Sequence, residues 1–256
     1  MKKYAEITRI PFLSSEQPNE KSYAGIGSRA LNEPSKTLTD EYKEDIKMMM
    51  IKSGYYLSLI GFTLNSGGAE GPDEWFELGA DLAKQYHNKG SKVIILPWQA
   101  FRENPSHYHL GSMNKELLIE SMDWASENHP RWKAEKTSKE NYQYPSLRNL
   151  EVYQKMMTRN VPQVKGFDLK QNVNFVLCWT PDGCINHIER TSKTGGTGQA
   201  IAIASKIGIK VYNLKREEHY LRIKKAISEW ENKFGLMPDP LTLPQKKDLK
   251  NNKMKP

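Results

Sequence analysis

Two cysteines, Cys178 and Cys184, are all that the 256 residues contain. So few exclude a disulfide framework and fit a reducing compartment. With His187 they form a Cys-x5-Cys-x2-His pattern, but a fourth ligand at ordinary zinc spacing is missing. Cys178 also sits in the apolar run Phe175-Val176-Leu177-Cys178-Trp179, where core packing is the simpler role. No metal and no cofactor are therefore expected. Long hydrophobic runs are lacking too. Stretches such as Val93-Ile94-Ile95-Leu96 fall far short of the ~20 apolar residues that cross a bilayer, so no membrane association is expected. The start, Met1-Lys2-Lys3-Tyr4-Ala5-Glu6, is charged and leads into no apolar core, which argues against a signal peptide. A cytoplasmic location is the expectation. No internal repeat of fixed period is present.

The chain is otherwise compatible with a globular protein. Hydrophobic residues make up 38% and charged residues 27%, and the six tryptophans argue against bulk disorder. The net charge of +8 is less informative than its size suggests, because from Lys246 onward five lysines and one aspartate supply +4 of it. This basic stretch follows Pro238, Pro240 and Pro244 and reads as a solvated tail over 237–256.

Three glycine-rich turns stand out: Gly25-Ile26-Gly27-Ser28-Arg29, Ser66-Gly67-Gly68-Ala69-Glu70-Gly71 and Thr194-Gly195-Gly196-Thr197-Gly198. The second and third lead into helical pattern. Such turns bring bare backbone N–H groups to helix N-termini, where phosphate or another anion can bind.

The elements around them form an alternating series. Ser22–Gly25 reads as a strand. A helix from about Thr39 to Leu59 follows, with Ile46, Met49, Met50 and Leu57 on its apolar face and Gly54 as an interruption. Phe62–Asn65 is a second strand, Pro72 opens a second helix, and Lys92–Leu96 is a third strand stopped by Pro97. Residues 98–145 break the rhythm as an insertion or lid with one helix over about Ser112–Ser126. Pro145–Met157 is helical, closed by Arg159-Asn160, and Asn174–Trp179 is the fourth strand. A helix follows the third glycine turn. Lys210–Asn213 is the fifth strand, and a final helix carries Tyr220, Ile223, Ile227, Trp230 and Phe234 before Gly235. The expected fold is α/β, a Rossmann-like doubly wound parallel sheet of about five strands with a helical insertion, in one domain over 1–236. With strand order 3-2-1-4-5, the switch point lies between the first and fourth strands, and the three turns converge there.

Ser28 and Arg29 add a hydroxyl and a positive charge at this crevice. Asp73 and Glu77 share a helix face four residues apart. Either carboxylate suits a ribose hydroxyl or a base role, although acidic residues also favour a helix N-terminus for its dipole alone. Glu77 is the candidate catalytic carboxylate, with Asp73 orienting a sugar hydroxyl.

Ser66-Gly67-Gly68-Ala69-Glu70-Gly71-Pro72-Asp73 resembles the Ser-Gly-Gly-Ala-x-Gly-Ile-Asp segment of the Smf/DprA family, and Arg159-Asn160 resembles that family's Arg-Asn signature. Gly195-Gly196-Thr197-Gly198 is similar to the glycine motif of the Lonely Guy (LOG) phosphoribohydrolases. Here, however, Gln199 stands where threonine is usual, and Ile201 and Ala202 where two glutamates belong. The chain thus resembles the SLOG superfamily over about 22–96 and 156–214, and it looks like the DprA-like members found in phage genomes. The resemblance implies a Rossmann-like fold that binds a nucleotide-like small molecule. Phosphate would be held by Gly25, Gly27, Ser28, Arg29, Ser66, Gly67, Gly68, Ala69, Arg159, Asn160, Gly195, Gly196, Thr197 and Gly198. The absent glutamates count against the LOG reaction. Two functions are carried forward. One is a nucleotide-derivative site, which either hydrolyses an N-glycosidic bond or sequesters a nucleotide signal. The other is single-stranded DNA binding as in recombination mediators, for which Trp98, Tyr108, Trp124 and Trp132 are the stacking candidates. The resemblance further implies a homodimer, with Met48-Met49-Met50 and the Trp230 helix as apolar surface.

Overall fold

The computed structural model describes residues 21–34, 37–130, 132 and 150–242. The lead-in before residue 21, the lysine-rich part of the insertion up to residue 149 and the basic tail from residue 243 lie outside the described residues. The fold is α/β, with a five-stranded, all-parallel sheet in the order β3-β2-β1-β4-β5. The strands are β1 (Ser22–Gly25), β2 (Thr63–Ser66), β3 (Lys92–Ile94), β4 (Phe175–Cys178) and β5 (Lys210–Asn213). The helices are α1 (Asp40–Leu59), α2 (Pro72–His87), α3 (Lys115–Glu127), α4 (Val152–Lys165), α5 (Thr197–Lys206) and α6 (Glu217–Phe234). The architecture is the Rossmann-like one expected, and its switch point lies between β1 and β4.

Successive strand residues point to opposite faces, and both faces are covered. Tyr23, Leu64, Phe175, Leu177 and Tyr212 pack with α1, α2 and α6. Ala24, Val176, Cys178 and Val211 pack with α3, α4 and α5. The first layer is aromatic. Tyr23 stacks on Phe175 at 5.6 Å and meets Phe76 edge-on at 6.1 Å. Beyond Ile94 the sheet edge is continued by the insertion: Leu96 N–H donates to Tyr108 O (2.9 Å) and Leu110 N–H to Leu96 O (3.1 Å). The third strand is therefore shorter than expected, and the edge past it is covered, as exposed edges need to be.

Two expectations are corrected. Helix α4 does not close at Arg159-Asn160 but runs on to Lys165, through Pro162. An internal proline costs about 3 kcal/mol. Val161 and Val164, both fully buried on the sheet, offset it at about 2 kcal/mol each. The start expected at Pro145 lies outside the described residues. The methionine run is not an exposed surface either, since Met49 and Met50 are buried in the α1 core, and Trp230 is buried as well.

Gly54, which interrupts the α1 pattern, marks where α1 crosses α2. A Cβ on Gly54 would lie 2.4 Å from Phe76 O, and one on Gly79 would lie 2.0 Å from Ile51 O and 2.7 Å from Tyr55 N. Backbone meets backbone at this crossing, so the neighbours cannot yield as a flexible side chain would. Gly79→Ala is expected to destabilise the fold by about 2 kcal/mol or more, the scale of overpacking. In urea unfolding this reads as a lower midpoint at unchanged slope; an unchanged midpoint would show slack at the crossing.

Candidate functional site

The carboxyl ends of β1 and β4 open into a cleft of about 750 Å3, a size usual for small-molecule sites. Its floor is made by α4 and by the turn that starts α5. Arg159, Asn160 and Gln163 line it from one side, with Gly195, Gly196 and Thr197 opposite. Ser28 and Arg29 from the first turn and Ala69, Glu70 and Asp73 from the second complete its walls, with Trp98, Phe101 and Arg102 of the insertion at the rim.

The three glycine turns differ in what their amides do. In the first, Ile26 N–H donates to Leu177 O (3.2 Å) and Ser28 N–H to Trp179 O (3.0 Å), which extends the β1–β4 ladder. Its glycines answer to packing. A Cβ on Gly25 would meet Leu64 and Phe76 side chains at 2.7 Å, and one on Gly27 would meet Pro72 at 2.6 Å. The Ser28 side chain accepts from Ala30 N (3.3 Å) and caps a short 3-10 turn, while Arg29 is exposed at the cleft wall.

The second turn is held from within. Asp73 is buried, and its Oδ2 accepts Gly67 N–H (3.2 Å) and Ala69 N–H (3.3 Å). Ser66 Oγ donates to Gly25 O (2.7 Å), tying the second turn to the first. Gly68, at φ 62°, packs toward Asn104 and Ile94. Of the residues expected to cradle phosphate here, Ala69 reaches the cleft, whereas Ser66, Gly67 and Gly68 build the wall behind it. The phosphate-cradle role is corrected to that extent: an internal carboxylate already occupies these amides.

The third turn faces the cleft. Gly195 adopts φ 65°, which favours glycine, and Gly196 stands at the N-cap of α5 without a side-chain cap. The first amides of a helix have no partner within it, so this end offers N–H groups and a favourable dipole to an anion. Asn160 Nδ2 donates to Gly196 O (3.1 Å) and fixes the turn. Gly198 is turned away. A Cβ there would lie 2.7 Å from Arg190 Nε, and Arg190 in turn donates to Asn128 O (2.8 Å). Gln199 Nε2 donates to Ala125 O (2.7 Å), and Ile201 is fully buried, so the positions that depart from the LOG pattern serve packing against α3 and the sheet. Beyond this turn a second hollow of about 1250 Å3 is lined by His129, His187, Arg190 and Lys206 among others. The smaller cleft is the stronger candidate because residues that carry unpartnered donors line it.

Those donors are on α4. Arg159 is buried, its guanidinium lying over Gly67, where a Cβ would come 1.3 Å from Nη1. Nη1 forms an ion pair with Asp73 Oδ2 at 3.6 Å, yet among the described residues Nε and Nη1 make no hydrogen bond, and neither does Gln163 Nε2. Burial pulls the Arg159 pKa down, and Asp73 opposes that; guanidinium stays protonated at neutral pH all the same. Burial pushes the Asp73 carboxyl up to about 6, against the pull of Arg159 and the turn amides.

Glu77 is placed elsewhere. It is one turn further along α2, about 6 Å down the axis, where its Oε1 accepts from Lys92 Nζ (3.0 Å) of β3. Lys92 also pairs with Asp81. Glu77 does not line the cleft, so its expected role facing a sugar is corrected, and Asp73 is the buried carboxylate that the cleft contains. Gln163 was not anticipated. It lies four residues beyond Arg159, one helical turn on, and only a helix continued past Met157 places it there.

Because the folded pKa of Asp73 lies above the ordinary value, its contribution to stability is full below pH about 4 and is lost as pH rises through about 6. The difference in unfolding free energy between the parent and Asp73→Asn should change across pH 4–6 by up to about 3 kcal/mol, with the parent losing ground as pH rises. Urea titrations at four pH values measure this. A constant difference would mean that Asp73 ionises as an ordinary carboxyl.

No protein-family model, no curated protein and no solved structure matches this chain.

Proposed function

We propose that the cleft binds a phosphate-bearing nucleoside derivative, with its phosphate between Arg159 and the N-terminus of α5. One observation carries the reading: Arg159 and Gln163 line the cleft, and just beneath its surface the buried Arg159 Nε and Nη1 and Gln163 Nε2 have no hydrogen-bond partner among the described residues. Leaving such a donor unsatisfied costs about 1–3 kcal/mol, more for a charged group. An anion with several acceptor oxygens relieves three of them at once, and guanidinium suits phosphate geometry. Gly195, Gly196 and Thr197, at the start of α5, line the same space.

Binding without bond cleavage is the better-supported form of the reading. A glycosidic hydrolysis needs a free carboxylate at the sugar. Glu77 is paired with Lys92, and Asp73 is held by two amides and Arg159. The single-strand reading is less supported. Trp132 is buried, and Trp124 is packed in the same core with Lys165 over its ring at 4.1 Å, so two of the four proposed stacking residues are engaged in the core.

Gly196→Val offers a clean test. Among the described residues a Cβ at Gly196 meets only Met157 Cε, at an ordinary 3.4 Å, and the backbone there has φ −64°, so a side chain can start there without backbone strain, at a residue that lines the cleft. In calorimetry against the four nucleoside 5′-monophosphates, the variant is expected to lose tenfold or more in affinity at an unchanged melting temperature. Unchanged affinity would remove the phosphate assignment. Chromatography of the same mixtures should show no free base. Base release that disappears in Asp73→Asn would make the protein a hydrolase instead. An oligothymidylate that binds where no mononucleotide does would favour the single-strand reading.

A further inference from the structure

The insertion supplies one wall of the cleft, and its chemistry there is unlike that of the floor. Trp98 is 36% exposed and lines the cleft, with Phe101 beside it, also at the cleft, edge-on at 4.9 Å. A large aromatic face left open inside a concave site is unusual, since burying it elsewhere stabilises a fold. The segment is also held in place. Arg102 Nη1 donates to Glu70 Oε2 (3.1 Å) and Nη2 to Glu74 Oε1 (3.0 Å), which ties the insertion to the second glycine turn and the first turn of α2. Ala100, Arg102 and Glu103 all adopt positive φ, a conformation unfavourable for non-glycine residues that this double ion pair helps to fix.

We infer that Trp98 is the base-stacking residue of the site, with Phe101 backing its ring and Arg102 as the positioning residue that holds the wall. The inference rests on the phosphate reading above and adds to it the class of ligand: an aromatic nucleobase carried on the phosphorylated sugar, in place of a sugar phosphate alone. Stacking is tolerant of base identity because every base offers a π-face, so the wall selects for a base over no base more than among bases.

The experiment compares ribose 5-phosphate with the four nucleoside 5′-monophosphates by calorimetry on the full-length parent, Trp98→Ala, Trp98→Phe and Arg102→Met. Trp98 is partly exposed, and melting temperatures check that each variant is folded. The expected result is that at least one monophosphate binds the parent roughly tenfold or more tighter than ribose 5-phosphate does. Trp98→Ala should remove most of that advantage, the scale of losing one base–aromatic stack, and leave ribose 5-phosphate unchanged. Trp98→Phe should restore much of it, and Arg102→Met should lose part of it. If ribose 5-phosphate binds and no monophosphate binds tighter, or if Trp98→Ala leaves the advantage intact, the stacking role is overturned while the phosphate site stands. If neither probe class binds the parent at millimolar concentration, the phosphate reading falls and takes this one with it.

Discussion

The arrangement around the cleft depends on one buried ion pair, Asp73 with Arg159. Asp73 belongs to the first turn of α2, where the helix dipole favours negative charge, and it gathers the Gly67 and Ala69 amides onto one oxygen. Arg159 comes from α4 on the other face of the sheet and lies across Gly67. The pair therefore joins helices from opposite layers across the end of β2. Taking two charges out of water is costly, and removing one partner of such a pair strands the other, at about 3–5 kcal/mol. The turn cannot relax, because relaxing it would expose Arg159 to an unpaired interior. The same pair is incompletely satisfied at 3.6 Å, with two guanidinium nitrogens lacking hydrogen bonds among the described residues, and that deficit is what the proposed anion would relieve.

Much of this was legible in the residues. Alternating apolar runs and helical periods are strong signals when each strand is buried on both faces, and β1, β2, β4 and β5 lie within a residue or so of their expected places. The switch point followed from strand order alone. What the sequence hid has physical causes. Arg159-Asn160 reads as a helix end, and the low helix preference of Asn160, with Pro162 two residues on, opposes continuation there. Burial of Val161 and Val164 overrides it, and Gln163 enters the cleft only as a consequence. Asp73 and Glu77 look equivalent at four-residue spacing, yet one helical turn separates the crevice from Lys92 on β3. The composition of the insertion did not disclose its edge pairing with Leu96, since that contact is set by register and not by pattern.

The electrostatic layout bears on the size of the partner. Positive charge at the floor is concentrated in Arg159, whereas the rim alternates in sign through Glu70, Arg102 and Glu74, all linked to one another. Binding a nucleic-acid strand calls for a continuous basic track along which several phosphates lie. Among the described residues, Arg102 at the rim is neutralised by two carboxylates, which leaves Arg29 as the exposed arginine at the cleft wall and no continuous basic track there. On the proposed reading, a single phosphate group seated below the rim avoids the carboxylates, as a mononucleotide would.

The glycines give the last step of the argument. Their abundance in three turns invites the view that each turn exists for a ligand, but a glycine also marks wherever two parts of the fold approach too closely for a side chain. Gly25 and Gly27 are excluded from bearing one by Leu64, Phe76 and Pro72, and Gly67 by Arg159. Gly25 and Gly67 stand behind the wall, and Gly27 lines the cleft while its missing side chain makes room for Pro72. Gly196 has no such neighbour closer than an ordinary contact, and its small size is not required by packing. A position where the fold has room for a side chain, the backbone is unstrained and the surface faces buried unpaired donors is the place where absence of a side chain serves a ligand. By that criterion the proposed anion site narrows from three turns to one, the N-terminus of α5, with α4 supplying its charge.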